Sequence, residues 1–338
     1  MDNDCPAPGL RVLITGGAGF LGTALARRLL EAEAVLVGGS DAGPVRELTL
    51  LDLFPPAQDL AVDERVRTIT GELAEVIDQL GPVDCIFHLA GVVSGAAELD
   101  FDLGMTTNVD GTRVLLEFAR RLPGAPVLVF ASSLAVFGSD PAVGSVGMVD
   151  DDTLPRPQSS YGIQKFIGEQ LVADYTRKGF LRGRSVRLMT VSVRPGAPNA
   201  AASSFMSGII REPLAGLPAV CPVPPDTELA LSSPERTIEG ILRAAAVDDA
   251  AWGSRTAVNL PALTTTPREM IEALDRVSGH ELSALIDWTA DPDVTAIVGS
   301  WPARFTTTRA NGLGLEADSS FDDIIRAFMQ SSLPATVS

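Results

Sequence analysis

Leu13 to Gly22 reads L-I-T-G-G-A-G-F-L-G, a stretch that joins a buried strand, a glycine turn and a helix start and so decides the fold. Arg11 to Thr15 form a short aliphatic and β-branched run, and Leu21 to Leu30 switch to helical spacing. Gly16 permits a tight turn, Gly19 lets backbone approach a phosphate with no Cβ in the way, and Gly22 lets the helix pack close against the strand. The first helical N–H groups, at Phe20 and Leu21, then face an anion together with the positive end of the helix dipole. An ordinary strand-to-helix turn can also use glycines. Here strand and helix both sit where a pyrophosphate cradle needs them.

Composition narrows the class. The 338 residues are 46% hydrophobic and 20% charged, enough to bury a large core as one big domain or two intimate ones. A net charge of −17 argues against nucleic acid or an anionic membrane as partner, since both call for a basic face. Cys5, Cys85 and Cys221 are odd in number and widely spaced, so no disulfide framework is expected. No run reaches the length that spans a bilayer, and the first ten residues lack the basic start and apolar core of a secretion signal; a cytoplasmic protein is expected. His88 and His280 have no neighbours at ligand spacing, so no metal site is expected.

Strand and helix patterns alternate through the first two hundred residues, which predicts a Rossmann-like α/β fold with a doubly wound parallel sheet. Residues 1–9 read as a flexible tail. After the first helix comes a glycine and proline loop, Gly38 to Pro44, and then a second strand, Leu48 to Leu53, that carries Asp52 at its end. A carboxylate there accepts the ribose hydroxyls of an adenosine and repels the extra phosphate of NADP, which favours NAD. The third strand, Val66 to Thr70, leads to Glu72 and Leu73, and the fourth, from Cys85, leads into His88, Leu89 and Ala90. Both strand ends should rim the cofactor cleft. Glu72 suits either an adenine contact or a solvated helix start, and His88 reads as a packed residue beneath the cofactor rather than a base. Phe101 to Arg121 reads as one long helix whose internal Asn108 and Gly111 cost stability, a sign of functional constraint that places Asn108 among the cofactor-facing residues.

Val127 to Ser133 is an apolar strand ending in two serines, at the edge where open parallel sheets bind ligands. Tyr161 and Lys165 follow four residues apart on a helix that runs to about Lys178. On its own such a pair is an ordinary surface feature. Beside a glycine cradle and a strand-end serine it becomes a proton-transfer pair: the Lys165 ammonium and the nicotinamide charge favour the phenolate of Tyr161, which can then take a hydroxyl proton.

With these residues in view the chain resembles the extended short-chain dehydrogenase/reductases, a family that includes sugar-nucleotide epimerases and dehydratases. T-G-x-x-G-x-x-G stands at Thr15 to Gly22, the motif serine at Ser133 before Phe137-Gly138, and Y-x-x-x-K at Tyr161 and Lys165. Longer strings place it near dehydrogenases of small aldonic acids: A-G-V-V-S-G from Ala90, D-F-D-L-G-M from Asp100, P-N-A-A-A-S-S-F from Pro198, C-P-V-P-P from Cys221 and V-G-S-W-P from Val298. The resemblance implies oxidation of D-erythronate, a four-carbon acid, at C2 to the 2-keto acid with NAD. It also implies a homodimer in which the helices beginning near Phe101 and Ser160 pair across a two-fold axis. Glu72 and Phe137 depart from the family pattern, which usually has Asp and, in epimerases, Tyr.

The rest of the chain reads as a smaller, interrupted substrate domain. A sixth strand, Val186 to Val193, is broken by Arg194-Pro195-Gly196; Ser233 to Ala246 and Ala257 to Leu260 return as a helix and a last strand. Residues 10–194 with about 231–261 should form the nucleotide-binding domain, and about 195–230 with 262–338 the substrate domain. A sugar acid brings a carboxylate that needs a donor. The small polar run from Asn199 to Ser204, with Ser203 and Ser204 at a helix start, is preferred, Arg211 is the other candidate, and Ser94 could hold a hydroxyl. A sugar-nucleotide epimerase or dehydratase with retained NAD, and a non-catalytic NAD sensor, are the competing readings. Net NADH production separates the first reading from both.

Overall fold

The computed structural model describes residues 9–196 and 201–332. Six strands form in order along the first half: β1 (Leu10–Thr15), β2 (Val45–Asp52), β3 (Val66–Thr70), β4 (Cys85–His88), β5 (Val127–Ser133) and β6 (Arg182–Leu188). Among the shorter ones that follow are β7 (Thr190–Val191), β8 (Leu229–Ser232), β9 (Val258–Asn259) and β10 (Leu263–Thr265). The main sheet has the order β3-β2-β1-β4-β5-β6-β9 and every neighbouring pair is parallel. The order turns back between β1 and β4, so their carboxyl ends open the crevice in which such sheets bind ligands. Thr15 pairs there with His88 on one side and Leu51 on the other.

Alternation along the strands sends side chains to two separate cores. Val12, Ile14, Phe87 and Val129 pack under α1 (Phe20–Glu31), while Leu13, Ile86, Leu128 and Phe130 pack on the opposite face. That face is covered by a broken helical stretch and a long helix. The stretch comprises α2 (Ser94–Leu99), α3 (Phe101–Gly104), a π-helical piece Met105–Asp110 and α4 (Gly111–Arg120); the long helix is α5 (Ser160–Arg177). A third core lies outside the sheet. It gathers Ile209 and Ile210 of α6 (Phe205–Leu214), Met270 and Leu274 of α8 (Pro267–Ser278), and Ile324 and Ile325 of α9 (Phe321–Ser332), whereas α7 (Pro234–Ala246) returns to the main sheet. A Thr266/Glu269 capping box starts α8, and Gly279 at φ 71 ends it.

Three expectations change. The sixth strand stops at Leu188, and Thr190–Val191 joins a second, three-stranded sheet with β8 and β10, because Leu231 and Ser232 pair with it. The chain therefore leaves the main sheet before the Pro-Gly break. The long helix from Phe101 is not uniformly α-helical: Asn108 spends its amide on the backbone of Val92, at 2.8 and 3.1 Å, and the turn around it widens to a π-helix. The glycine loop after α1 contains a small ribbon, Leu36–Val37 with Ser40–Asp41. Residues 1–8 of the expected tail lie outside the described residues.

A buried ion pair joins β5, β6 and α5. Arg187 donates twice to Glu169, both bonds at 2.8 Å, and Ser132 donates to the same carboxylate at 2.5 Å. With the two charged side chains 6% and 2% exposed, removing one strands the other in a medium of low polarity. Glu169→Gln should lower unfolding free energy in urea by about 3–5 kcal/mol. An unchanged midpoint would show that the pair holds nothing.

Candidate active site at the carboxyl edge of the sheet

The turn after β1 has the shape that a dinucleotide requires. Gly16 adopts φ 74, and a Cβ there would lie 2.7 Å from the Ala90 nitrogen, while one on Gly22 would lie 2.1 Å from the Gly16 oxygen. Only glycine lets loop, strand and helix come this close. The loop is tied to β2 as well: Gly16 N–H donates to Leu51 at 2.8 Å, and Ala18 N–H to the Asp52 carboxylate at 3.0 Å. Phe54 N–H takes the other Asp52 oxygen at 3.2 Å, and each oxygen keeps a lone pair for a ribose hydroxyl. Gly19, Phe20 and Leu21 line a cavity of about 340 Å³ at the start of α1. This cradle fits NAD.

The far wall of the same cavity carries Ser133, Tyr161 and Lys165. Ser133 ends β5, and its oxygen accepts from Ala135 N–H at 3.2 Å. Ser159 caps α5 by accepting from Gly162 N–H at 3.2 Å, and a Cβ on Gly162 would lie 2.1 Å from the Ala135 oxygen. That close approach presses the helix start onto the turn after β5 and brings Tyr161 to Ser133. One helical turn on, the Lys165 ammonium lies 5.1 Å above the Phe130 ring and 5.7 Å from the Tyr161 ring.

A glycine cradle facing a Ser-Tyr-Lys wall at one sheet edge agrees with the comparisons made on sequence and fold. The pattern of the NAD dependent epimerase/dehydratase family matches residues 12–226. The chain belongs to that family. Within the family it is similar over its whole length to a D-erythronate dehydrogenase of Cupriavidus necator, at 50% identity over 95% of this chain and 98% of the relative. A second D-erythronate dehydrogenase, of Haemophilus influenzae, is 40% identical over 95% and 99%. A crystal structure described as a nucleoside-diphosphate-sugar epimerase from Agrobacterium tumefaciens superposes with TM-score 0.83 at 38% identity, covering 96% and 94%.

The electrostatics of the site bring in a residue that the sequence did not single out. In the protein itself, burial pushes the Tyr161 phenol above its ordinary value, and the effects that work against burial are hydrogen bonding by Ser133 and the positive charge of Arg194. Lys165 is not among them. Burial instead pulls Lys165 down to about 8. The positive charge that acts on the phenol here is that of Arg194, a residue to which its sequence context gave no role. It lines the cavity with Thr190 and Trp301, which sequence reasoning also passed over. The one signal available was that Arg194 and Arg211 are the sole basic residues between Val193 and Leu231.

The remaining candidates divide. Leu89, Ser94 and Ser203 line the cavity, and Ser94 accepts from Ala202 N–H at 3.3 Å. Ala90 N–H reaches Thr15 at 3.4 Å, directly behind the glycine turn. Glu72 is exposed and Leu73 packs against the core; both sit beside Asp52, whose carbonyl accepts Gly71 N–H at 3.0 Å, but outside the cavity. Asn108 is buried, and its amide is used within the protein, on Val92 and on Gln164 at 2.7 Å, so it supports the loop after β4 instead of facing the cofactor. Arg211 turns away from the cavity to pair with Glu212 at 2.5 Å. Asn199 lies outside the described residues. Among the described residues no cluster of His, Cys, Asp or Glu could hold a metal ion, and no helix is long and apolar enough to cross a membrane.

His88 is buried as expected, with Nδ1 2.6 Å from the Thr15 hydroxyl and Nε2 2.9 Å from that of Thr112. Burial, with the Lys165 charge, lowers its pKa to about 3. An unfolded histidine takes a proton below about 6.5, the folded one does not, and so stability present above that pH is lost as pH falls. Between pH 7.5 and 5.5 wild-type protein should lose roughly 1 kcal/mol in urea titrations on this account. His88→Gln should flatten that slope. Equal slopes in the two proteins would refute the buried neutral ring.

Proposed function

We propose that the protein oxidises D-erythronate to 2-dehydro-D-erythronate with NAD. The reading is carried by full-length similarity to two D-erythronate dehydrogenases in a chain that sets Ser133, Tyr161 and Lys165 in the glycine-loop cavity. NAD, when bound, supplies the hydride acceptor for C2. Asp52 takes the adenosine ribose hydroxyls and favours NAD over NADP. Ser133 holds the substrate C2 hydroxyl, and Tyr161 accepts its proton as general base. Lys165 binds the nicotinamide ribose beside the phenol. Leu89 and the α1 start complete the cofactor wall, and Ser94 and Ser203 offer hydroxyls to the rest of the acid.

We read residues 10–194 with about 231–261 as the cofactor unit and the third core as the substrate unit. The free, buried thiols of Cys85 and Cys221 suit a cytoplasmic setting. The protein is further read as a homodimer, because the adjoining helices α2, α3 and α5 expose Leu99 at 90%, Phe101 at 60% and Ile163 at 47%. An apolar patch of that kind is suited to a second copy of the same surface. Light scattering at micromolar concentration should give twice the chain mass, and Phe101→Asp should shift it toward one. A wild-type monomer would remove this reading.

Stoichiometric NADH formation from D-erythronate tests the activity itself. Its absence, with conversion of a nucleotide sugar and no net NADH, would replace the dehydrogenase by an epimerase. Tyr161→Phe removes the proton acceptor and keeps the ring, so kcat should fall by about two to four orders of magnitude while NAD still binds. Near-normal turnover would dismiss Tyr161 as base.

A further inference from the structure

An aldonic acid carries a carboxylate into a half-enclosed cleft, and such a group needs a charged or multiply donating partner once water is removed. The start of α6 is less open to an anion than its sequence suggests. Met206 N–H donates to Ser203 at 3.1 Å, and Ser204 and Ser207 N–H groups are likewise spent on carbonyls of the same turn. Arg211 faces a different cavity and has its own acid in Glu212. Lys165 lies beneath the cofactor side of the site, over Phe130.

Arg194 is placed otherwise. It lines the same cavity as Ser133, Tyr161 and Ser203, it is half-buried, and no carboxylate among the described residues pairs with its guanidinium. Its main chain is clamped on both sides: the N–H donates to Ser207 at 3.0 Å, and the carbonyl accepts from Arg211 at 2.8 Å. Only the side chain is left to project. Burial and the like charge of Arg211 both bear against its protonated state, two costs that a bound anion relieves, and the guanidinium shares the cavity wall with the Tyr161 phenol.

We propose that Arg194 is the receptor for the substrate carboxylate and thereby selects 2-hydroxy acids over neutral polyols and sugars. The inference rests on the aldonic-acid reading above. Two parallel N–H···O bonds from a planar guanidinium fix both position and orientation of the carboxylate. The carbon next to that carboxylate then carries the hydroxyl presented to Ser133 and Tyr161. Oxidation at C2, and not at C3 or C4, follows from the placing of one cation. Arg211 is a positioning residue here, since it holds the Arg194 peptide.

The test compares wild type, Arg194→Gln and Arg194→Lys on D-erythronate, other 2-hydroxy acids and D-erythronamide, with NAD affinity measured by calorimetry. Because the peptide of Arg194 is held through its backbone, both variants should fold and bind NAD within about two-fold of wild type. Arg194→Gln should lower kcat/KM for the acid by about 100-fold or more and Arg194→Lys by less, while the fall on the neutral amide, which reports only the lost influence of the charge on Tyr161, should stay within about ten-fold. Added guanidinium ion at millimolar concentration should restore part of the activity of Arg194→Gln. Unchanged kcat/KM for D-erythronate in Arg194→Gln would overturn the receptor and leave the activity standing. Selective loss of a different 2-hydroxy acid in that variant, with D-erythronate inert in wild type, would keep the receptor and overturn the D-erythronate assignment. Wild-type oxidation of neutral substrates alone would overturn both.

Discussion

The pair Glu169–Arg187 is the constraint on which the site's geometry depends. It fastens α5 to β6, and through Ser132 it fastens both to the last turn of β5, one residue before Ser133. Arg187 also stacks 4.8 Å from the Phe137 ring and reaches Asn259 on β9 at 3.3 Å. Apolar residues of the same volume could fill that space at similar or lower free-energy cost. What they could not do is fix direction. A bidentate guanidinium-carboxylate contact admits little sliding, so the spacing between a strand end and a helix face is held to the tolerance that proton transfer demands.

The parts of this molecule that were legible in sequence are those whose chemistry is coded by short spacing. Gly16, Gly19 and Gly22 sit within seven residues, Tyr161 and Lys165 within one helical turn, and Ser133 at the end of an apolar run, so local geometry alone brings each to the sheet edge. Asp52 was readable for the same reason. Residues whose role depends on the direction of a side chain across the fold were not. Arg194 and Arg211 look alike on paper; one lines the cavity and the other supports it, and the difference is made by Glu212 and by a strand that leaves the sheet at Leu188. Asn108 was singled out correctly as costly in a helix, but its amide serves Val92 and Gln164. Burial, which raises Tyr161 and lowers Lys165, depends on what the whole fold places around them and is written in no short spacing.

The charge distribution has two scales. At a distance the chain is strongly acidic, with net charge −17, and would slow the approach of an anionic substrate. Inside the cleft the signs reverse, with Lys165 and Arg194 on the wall and no acid among the described residues paired to Arg194. Added salt screens the long-range repulsion far more than a half-buried contact. Ionic strength should thus act on encounter more than on the bound complex.

The hydroxyl of Thr112 donates to the Asn108 carbonyl at 2.7 Å, so it can only accept from the His88 ring, which fixes the proton on Nε2. Nδ1 then accepts from Thr15, whose oxygen in turn accepts Ala90 N–H. Five groups from β1, β4, the loop beyond it, the π-helical turn and the start of α4 form one chain in which every proton points the same way. The backbone N–H of Ala90 at one end and the backbone carbonyl of Asn108 at the other fix the direction of every bond between them, so the ring of His88 is held to one tautomer without any charged partner.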